Sequence, residues 1–389
     1  MSGTSSAPLT RRDCLENSRR IVIKVGSSSL TGPDGALHQE TLDLLVNTIA
    51  EVHARGVDVV LVSSGAVAAG IGPLKLGRPR SLREKQAAAM VGQSRLMAAY
   101  EERFEAHDIS VGQVLLTASD VTNRRHYANA LTAMRTLLRL RVVPIVNEND
   151  AVATDELRFG DNDRLAALTA HLVGAGTLIL LTDVDGLYTK PPSEPGSTRI
   201  TEVTSEDDLA GLRITGRGSA VGTGGMRTKV AAAELATSGG VGVILTHVDN
   251  VQRAVAGDNV GTWFVPSTRH VSARGRWMEF AARARGRVTL DDGAVAAITG
   301  NHASLLPVGV IGISGRFAAG DIVELCDGHG EVIARGLSAY SVEELIELVG
   351  STRARGKKPV VHANDIVLLG SWRVFPAGVP CAAGGRVPH

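Results

Sequence analysis

Six short runs of apolar, largely β-branched residues punctuate the first two-thirds of the chain, at residues 21–25, 57–62, 109–116, 142–146, 177–181 and 241–245. Each is bounded by turn residues and lacks polar alternation, the pattern of strands buried on both faces. Between the first two runs, Leu42, Leu45, Val46, Ile49 and Val52 recur at helical spacing. An Ala-rich helix is predicted from Leu82 to Phe104. Strands alternating with helices predict βαβ units and an α/β fold, with a mostly parallel sheet sandwiched by helices. Residues 191–222 break this rhythm with Pro, Ser, Gly and mixed charges. A stretch that long inside a domain reads as a lid over a site, with a plain surface excursion as the alternative.

The texture changes after Phe264. Residues 267–286 are polar and Arg-rich and read as a linker. Short runs at 308–313, 321–325 and 331–337 follow, separated by Gly and Asp, as in a small antiparallel barrel. The expected organisation is a flexible leader (1–19), a large domain (20–266), the linker (267–286), a small β-rich domain (287–366) and a Gly- and Pro-rich tail (367–389).

Composition narrows the function class. Hydrophobic residues make up 44% and aromatics 3%, so the core is built from Ala, Val, Leu and Ile. A formal net charge of +1 gives no footprint for general nucleic-acid binding. Cys14, Cys326 and Cys381 are far apart, without metal-ligand spacing or a disulfide framework, which fits a reducing compartment. The Arg-rich leader has no apolar signal-peptide core, and no apolar run reaches the ~18 residues that span a bilayer. A cytoplasmic protein with no membrane partner is expected.

Five loops carry candidate chemistry. Lys24, Val25, Gly26, Ser27, Ser28 and Ser29 follow the first strand, offering backbone N–H groups and a lysine to a polyphosphate. The order is not that of a Walker A loop, and an ordinary turn is the alternative. Ser63, Ser64, Gly65 and Ala66 follow the second strand, where small residues admit a ligand close to backbone. Asn147, Glu148, Asn149 and Asp150, then Gly160, Asp161, Asn162 and Asp163, crowd acids and amides after the fourth run. Helix capping accounts for part of that cluster; holding an amino group, orienting lysines or helping to hold a metal are the other readings. Thr182, Asp183, Val184 and Asp185 follow the fifth run and suit a ribose or adenine. Gly222, Thr223, Gly224, Gly225, Met226, Arg227, Thr228 and Lys229 open an Ala-rich helix, a ready anion site with a lysine in reach. In open α/β sheets such loops share the carboxyl edge of the strands, where ligands bind. Lysines, anion loops and an acidic cluster on one edge describe phosphoryl transfer, which is mostly positioning and charge stabilisation.

Together these motifs resemble the amino-acid kinase family over about residues 20–265. The stretch Asn147 to Thr154 and the loop Gly222 to Lys229 are most similar to members acting on glutamate. The C-terminal part is similar to a PUA domain, a small pseudobarrel, through Asp292 to Ile298, Ser304 to Pro307, Gly315 to Phe317, Gly320-Asp321 and Ala334 to Leu337. The resemblance implies ATP-dependent phosphorylation of the γ-carboxylate of L-glutamate, the first step towards proline. Aspartate or N-acetylglutamate as acceptor is the alternative, and RNA binding through the small domain a further one that charge and aromatic content disfavour.

By position, the resemblance implies that Lys24 and Lys229 stabilise the transferring phosphoryl group and that Asp163 orients both. It places ATP against Gly26, Ser27, Thr182, Asp183, Thr223, Gly224, Gly225, Met226, Arg227 and Thr228. It places glutamate against Ser64, Gly65, Asp150 and Asn162, with Asn147 and Asp161 nearby. Mg2+ is expected to come with the nucleotide rather than on a protein metal site. Proline is an expected feedback inhibitor, and a homo-oligomer, dimer or tetramer, the expected assembly. The leader is longer than the family pattern, and Val184 and Arg227 fall at variable positions.

Overall fold

The structure, a computed structural model, describes residues 10–32, 34–77, 79, 81–117, 120–121, 123–152, 162–209, 225–267, 284–349 and 358–369. In chain order the first unit holds α1 (Arg11–Glu16), β1 (Arg20–Val25), α2 (Ser27–Leu30), α3 (Gln39–Ala54), β2 (Asp58–Ser63), α4 (Ala66–Ile71) and α5 (Leu82–Glu105). Then come β3 (Val111–Leu116), α6 (Arg124–Arg139), β4 (Val143–Glu148), α7 (Asn162–Val173), β5 (Thr177–Thr182), β6 (Leu187–Tyr188), β7 (Arg199–Ile200) and β8 (Glu202–Val203). It closes with α8 (Met226–Ser238), β9 (Gly242–His247), α9 (Val251–Val255) and β10 (Thr262–Phe264). The main sheet has the order β3-β4-β2-β1-β5-β9-β10-β8. Its pairs are parallel except β9 with β10.

All six apolar runs are strands of this sheet, which bears out the α/β reading. Alternate residues of a strand serve opposite faces. Ile21, Ile23 and Val25 of β1 join a core with Leu42, Leu45 and Ile49 of α3 and Leu96, Tyr100 and Phe104 of α5. Val22 faces a second core with Leu165 and Ala166 of α7 and Val230 and Ala233 of α8. By the same alternation Lys24 lies on the α7–α8 face.

The second unit holds β11 (Gly286–Leu290), α10 (Asp292–Asn301), β12 (Val310–Gly315), β13 (Ile322–Cys326), β14 (Val332–Leu337), α11 (Val342–Val349) and β15 (Ile366–Leu368). Its sheet runs β12-β11-β13-β14-β15 around a core of its own that includes Val288, Leu325, Leu345 and Val361.

Four expectations change. Part of the leader is ordered: α1 has a capping box between Thr10 and Asp13, and buries Cys14 and Leu15 in the α3–α5 core. Arg11 donates to the carbonyls of Asp258 (2.7 Å) and Val260 (2.6 Å), which satisfies a buried guanidinium. The expected lid contains regular structure, since β8 pairs with β10 at the sheet edge and β7 with β6. The second unit is not wholly antiparallel, because β11 and β13 pair in parallel. It also extends into the expected tail, since β15 continues its sheet. Residues 1–9, 210–224, 268–283 and 370–389, where the rest of the leader, lid, linker and tail were expected, lie outside the described residues. Among the described residues no helix is long and apolar enough to cross a membrane.

Candidate active site

Parallel pairing of β1, β2, β4 and β5 brings their carboxyl ends, and the loops that follow them, to one edge. The pairs Val25 with Ser63 and Val25 with Leu181 bring the Gly26, Ser64 and Thr182 loops side by side. The backbone N–H of Ser64 donates to the carbonyl of Val25 at 3.2 Å, tying two of them together. Gly65 has φ +102°, a left-handed conformation that lets the chain turn at once from Ser64 into α4.

At this edge sits a buried charge cluster. Asp163 lies in the first turn of α7 and is 1% exposed. Its Oδ1 is 2.5 Å from Nζ of Lys24, and its Oδ2 accepts from Nζ of Lys229 at 3.1 Å. Lys229 comes from the start of α8 and is 9% exposed; Lys24 is 4% exposed. Burial pushes the Asp163 carboxyl upward, but the two lysines outweigh that and hold it below the ordinary carboxylate range. The amino end of α7 also favours the anion. One carboxylate thus fixes two cations about the mouth of the sheet, and each lysine keeps further N–H donors for another anion.

Beside it lies a polar relay. Asn162 donates from Nδ2 to Ser64 Oγ (2.8 Å) and to Asn147 Oδ1 (2.9 Å). Asn147 donates to Gln93 Oε1 at 2.9 Å. Asp150 borders an adjoining cleft of about 230 Å³ with Gln93, Ser94, Gln113, Glu148 and Asn149. On the other side, Thr182 Oγ1 donates to the Asp183 carboxylate at 2.9 Å, where β5 ends. Gly26 and Ser27 pass directly below Lys24: a Cβ placed on Gly26 would lie 3.8 Å from its Nζ. Gly225 caps α8 ahead of Met226, Arg227 and Thr228. The structure therefore gathers Lys24, Gly26, Ser27, Ser64, Gly65, Asn147, Asp150, Asn162, Asp163, Thr182, Asp183 and residues 225–229 at one sheet edge. Asp161, Thr223 and Gly224 lie outside the described residues.

Sequence reasoning missed Gln93 and Tyr100. Tyr100 is fully buried, with its hydroxyl 2.9 Å from Ser63 Oγ behind the Ser64 loop. Both lie on the buried stripe of α5 with Ala89 and Leu96. A glutamine among apolar positions at helical spacing was the available signal, because a buried amide needs partners. Gly92 brings that stripe close: a Cβ there would stand 1.7 Å from the carbonyl oxygen of Ala66, so α5 meets α4 backbone to backbone.

The buried lysine–aspartate cluster and the small-residue loops thus share the carboxyl edge of the sheet. The amino acid kinase family model matches residues 19–248, and the PUA domain model matches residues 286–356. The chain belongs to the amino acid kinase family. Within it, the chain is 50% identical to the glutamate 5-kinase of Salinispora arenicola over 92% of its own length and 100% of that protein's. It is 51% identical to the glutamate 5-kinase of Thermobifida fusca, over 91% and 94% of the two chains.

Proposed function

We propose that the chain transfers the γ-phosphoryl group of ATP to the side-chain carboxylate of L-glutamate, the first step of proline biosynthesis. Relatives of about half identical sequence along nearly the whole chain carry that name. The observation that carries the chemistry is the Lys24–Asp163–Lys229 cluster at the carboxyl edge of the sheet.

The reaction needs no general base, because the acceptor carboxylate is already ionised. One of its oxygens forms a bond to the γ-phosphorus while the bond from that phosphorus to the bridging oxygen breaks. ADP leaves and an acyl phosphate remains. Charge spreads over the phosphoryl oxygens in the transition state, and fixed cations stabilise it. Lys24 and Lys229 take that role, and Asp163 holds them in place without meeting the substrate. Gly26, Ser27, Thr182, Asp183 and the start of α8 hold the nucleotide, and Thr223 and Gly224 belong to that set by position. Ser64, Gly65, Asn147, Asp150 and Asn162 hold glutamate, with Asp161 alongside.

Mg2+ bound with ATP would neutralise charge on the β- and γ-phosphates. Both oxygens of Asp163 are engaged by lysines, and in this reading the ion comes with the nucleotide's phosphates rather than on a protein metal site. A cytoplasmic location, a dimeric or tetrameric assembly and inhibition by proline complete the reading. Proline shares the α-amino acid head group, so the inhibition it exerts is relieved by glutamate.

The test is ADP release with ATP and glutamate or aspartate, with hydroxylamine added to trap the acyl phosphate as a hydroxamate. Glutamate-dependent hydroxamate is expected. Turnover with aspartate and none with glutamate would overturn the substrate.

A further inference from the structure

We infer that His247 is a further nucleotide-binding residue, whose Nε2–H donates a hydrogen bond to the nucleoside end of ATP. The inference rests on the reading of the chain as an ATP-dependent kinase.

The register of the sheet places this side chain. β9 runs parallel to β5, so its carboxyl end reaches the same edge as the site loops. His247 is the last residue of β9 and pairs with Thr182, the last residue of β5. One step earlier, Leu181 pairs with both Thr246 and Val25. Gly26, Thr182 and His247 therefore stand in one row across three neighbouring strands. Alternation fixes the face. Val243 and Leu245 of β9 lie in the core against α7 and α8, together with Leu178 and Leu180 of β5. Ile244 and Val248 lie in the opposite core. His247 thus belongs to the α7–α8 face, which also carries Lys24 and Thr182. α8 packs on β9, ending at Ser238 just before the strand begins at Gly242. The helix runs back over the strand, and its first turn, which carries Met226, Arg227 and Thr228, stands over the end of β9.

The order of the strands gives the part of the ligand. β4 and β2 lead into the groups assigned to glutamate, β1 into Lys24 and Gly26 at the phosphoryl group, and β5 into Thr182 and Asp183. β9 is the next strand away from glutamate. Neighbouring strands lie about 4.8 Å apart, so β9 is about 10 Å from β1. A group there meets the nucleoside rather than the γ-phosphate.

The imidazole is held with its donor facing outward. His247 caps the short turn at Val248–Asn250, and its Nδ1 accepts from the backbone N–H of Asp249 at 3.3 Å. A backbone N–H only donates, so the neutral ring carries its proton on Nε2. Nδ1 also lies 3.3 Å from the Asp249 carboxylate, a contact that becomes an ion pair on protonation and leaves the Nε2 proton in place. Nε2 is therefore a donor in both states. The side chain is 34% exposed, and Nε2 has no acceptor among the described residues. Ring nitrogens of a base and hydroxyl oxygens of a ribose are acceptors of the required kind.

The test uses the full chain with His247→Asn and His247→Gln. Asparagine is among the preferred capping residues, so it keeps the turn while removing the outward donor. Glutamine carries an N–H donor at about the distance of Nε2. Binding of ADP is measured by calorimetry, which needs no amino-acid substrate. Wild-type hydroxamate formation decides the glutamate reading separately. In His247→Asn the Kd for ADP is expected to rise about fivefold, the scale of one hydrogen bond. Inorganic tripolyphosphate, which lacks the nucleoside, serves as a competitor of ADP, and its Kd is expected to change by less than about twofold. His247→Gln is expected to bind ADP within about twofold of the parent. Parental ADP affinity in a cooperatively melting His247→Asn overturns the proposal. ADP and tripolyphosphate weakened alike also overturn it, because the residue would then serve the phosphates or the fold. A His247→Gln as weak as His247→Asn overturns it too, since the donor would then be irrelevant.

Discussion

The carboxyl edge of the main sheet and the core of the second unit are both well buried, yet they treat polar groups in opposite ways. At the edge, Lys24, Asn147, Asp163, Thr182 and Lys229 are all under 10% exposed. Among the described residues of the second unit, Ser338 is the one buried polar side chain. Charges there stay near the surface, as in Glu324 bridging Arg287 (2.9 Å) and Arg335 (3.3 Å). Taking ions out of water costs several kcal/mol each, and pairing recovers that cost only with good geometry. An apolar filling would serve folding equally well. Buried charge in one unit and its near absence in the other therefore set the edge proposed for chemistry apart from a core that serves packing.

The sharpest way to break this contrast is to remove the cations. Lys24→Ala and Lys229→Ala are each expected to lower kcat by about 10²–10³, the range for one electrostatic group acting on a transition state. Circular dichroism and a cooperative melt should show that both variants fold. Near-normal kcat in both would mean that the cluster serves folding alone, and the contrast would lose its meaning.

Asp163→Asn tests the cost of the burial itself. It leaves two buried lysines facing each other without an anion, which typically costs about 3–5 kcal/mol, and turnover falls with them. The direction of the pH effect follows from the depressed Asp163 carboxyl. A group whose folded value lies below its unfolded one stabilises the fold above the ordinary carboxylate range of about 4, and that contribution disappears as pH falls through the folded value. The melting-temperature gap between parent and Asp163→Asn should thus be full near neutral pH and narrow on acidification below about 4. A gap independent of pH would contradict the ionised, lysine-held state.

These experiments bear on how much could be read before the fold was known. The six strands were legible because two-sided burial leaves unbroken apolar runs, and the loops were legible because small and acidic residues follow the runs directly. Lys24, Asp163 and Lys229 lie far apart in sequence, and their convergence required the family pattern in addition to local reading. Gln93 was hidden because its partner Asn147 is 54 positions away and α5 reads as an ordinary Ala-rich helix. α1 was hidden because its anchors, the carbonyls of Asp258 and Val260, are nearly 250 residues distant. β8 was hidden because two residues, Glu202 and Val203, carry no periodicity. In each case the missing information was a long-range contact, which a local pattern does not hold.

A milder test exchanges a charge in the second unit. Glu324→Gln removes the anion shared by Arg287 and Arg335, and partly exposed pairs of this kind contribute about 0.2–1 kcal/mol. The melting temperature is expected to fall slightly while kcat and both KM values stay at parental levels. A loss of turnover approaching that of Lys24→Ala would tie the second unit to the chemistry.

Removing the second unit altogether is also expected to leave turnover largely intact. Every residue assigned to ATP, glutamate or phosphoryl transfer lies before Thr262, within a unit whose sheet carries a core on each face. A chain ending at Pro266 should therefore fold and turn over glutamate at a rate within about threefold of the parent. Stability is a different matter, because the two units are not separate in their packing. Ile322, Leu337 and Val367 of the second unit join the core that lies against α7 and α8. Their loss uncovers apolar surface on the large unit, where each fully buried side chain of this size contributes about 1.5–3 kcal/mol. The shortened chain should melt several degrees lower and aggregate more readily on heating, with its KM values unchanged. Calorimetry and steady-state kinetics on the same sample read the two quantities independently. A shortened chain that melts cooperatively yet gives no hydroxamate would show that the second unit completes the site, and the division between a region for chemistry and a region for packing would fail.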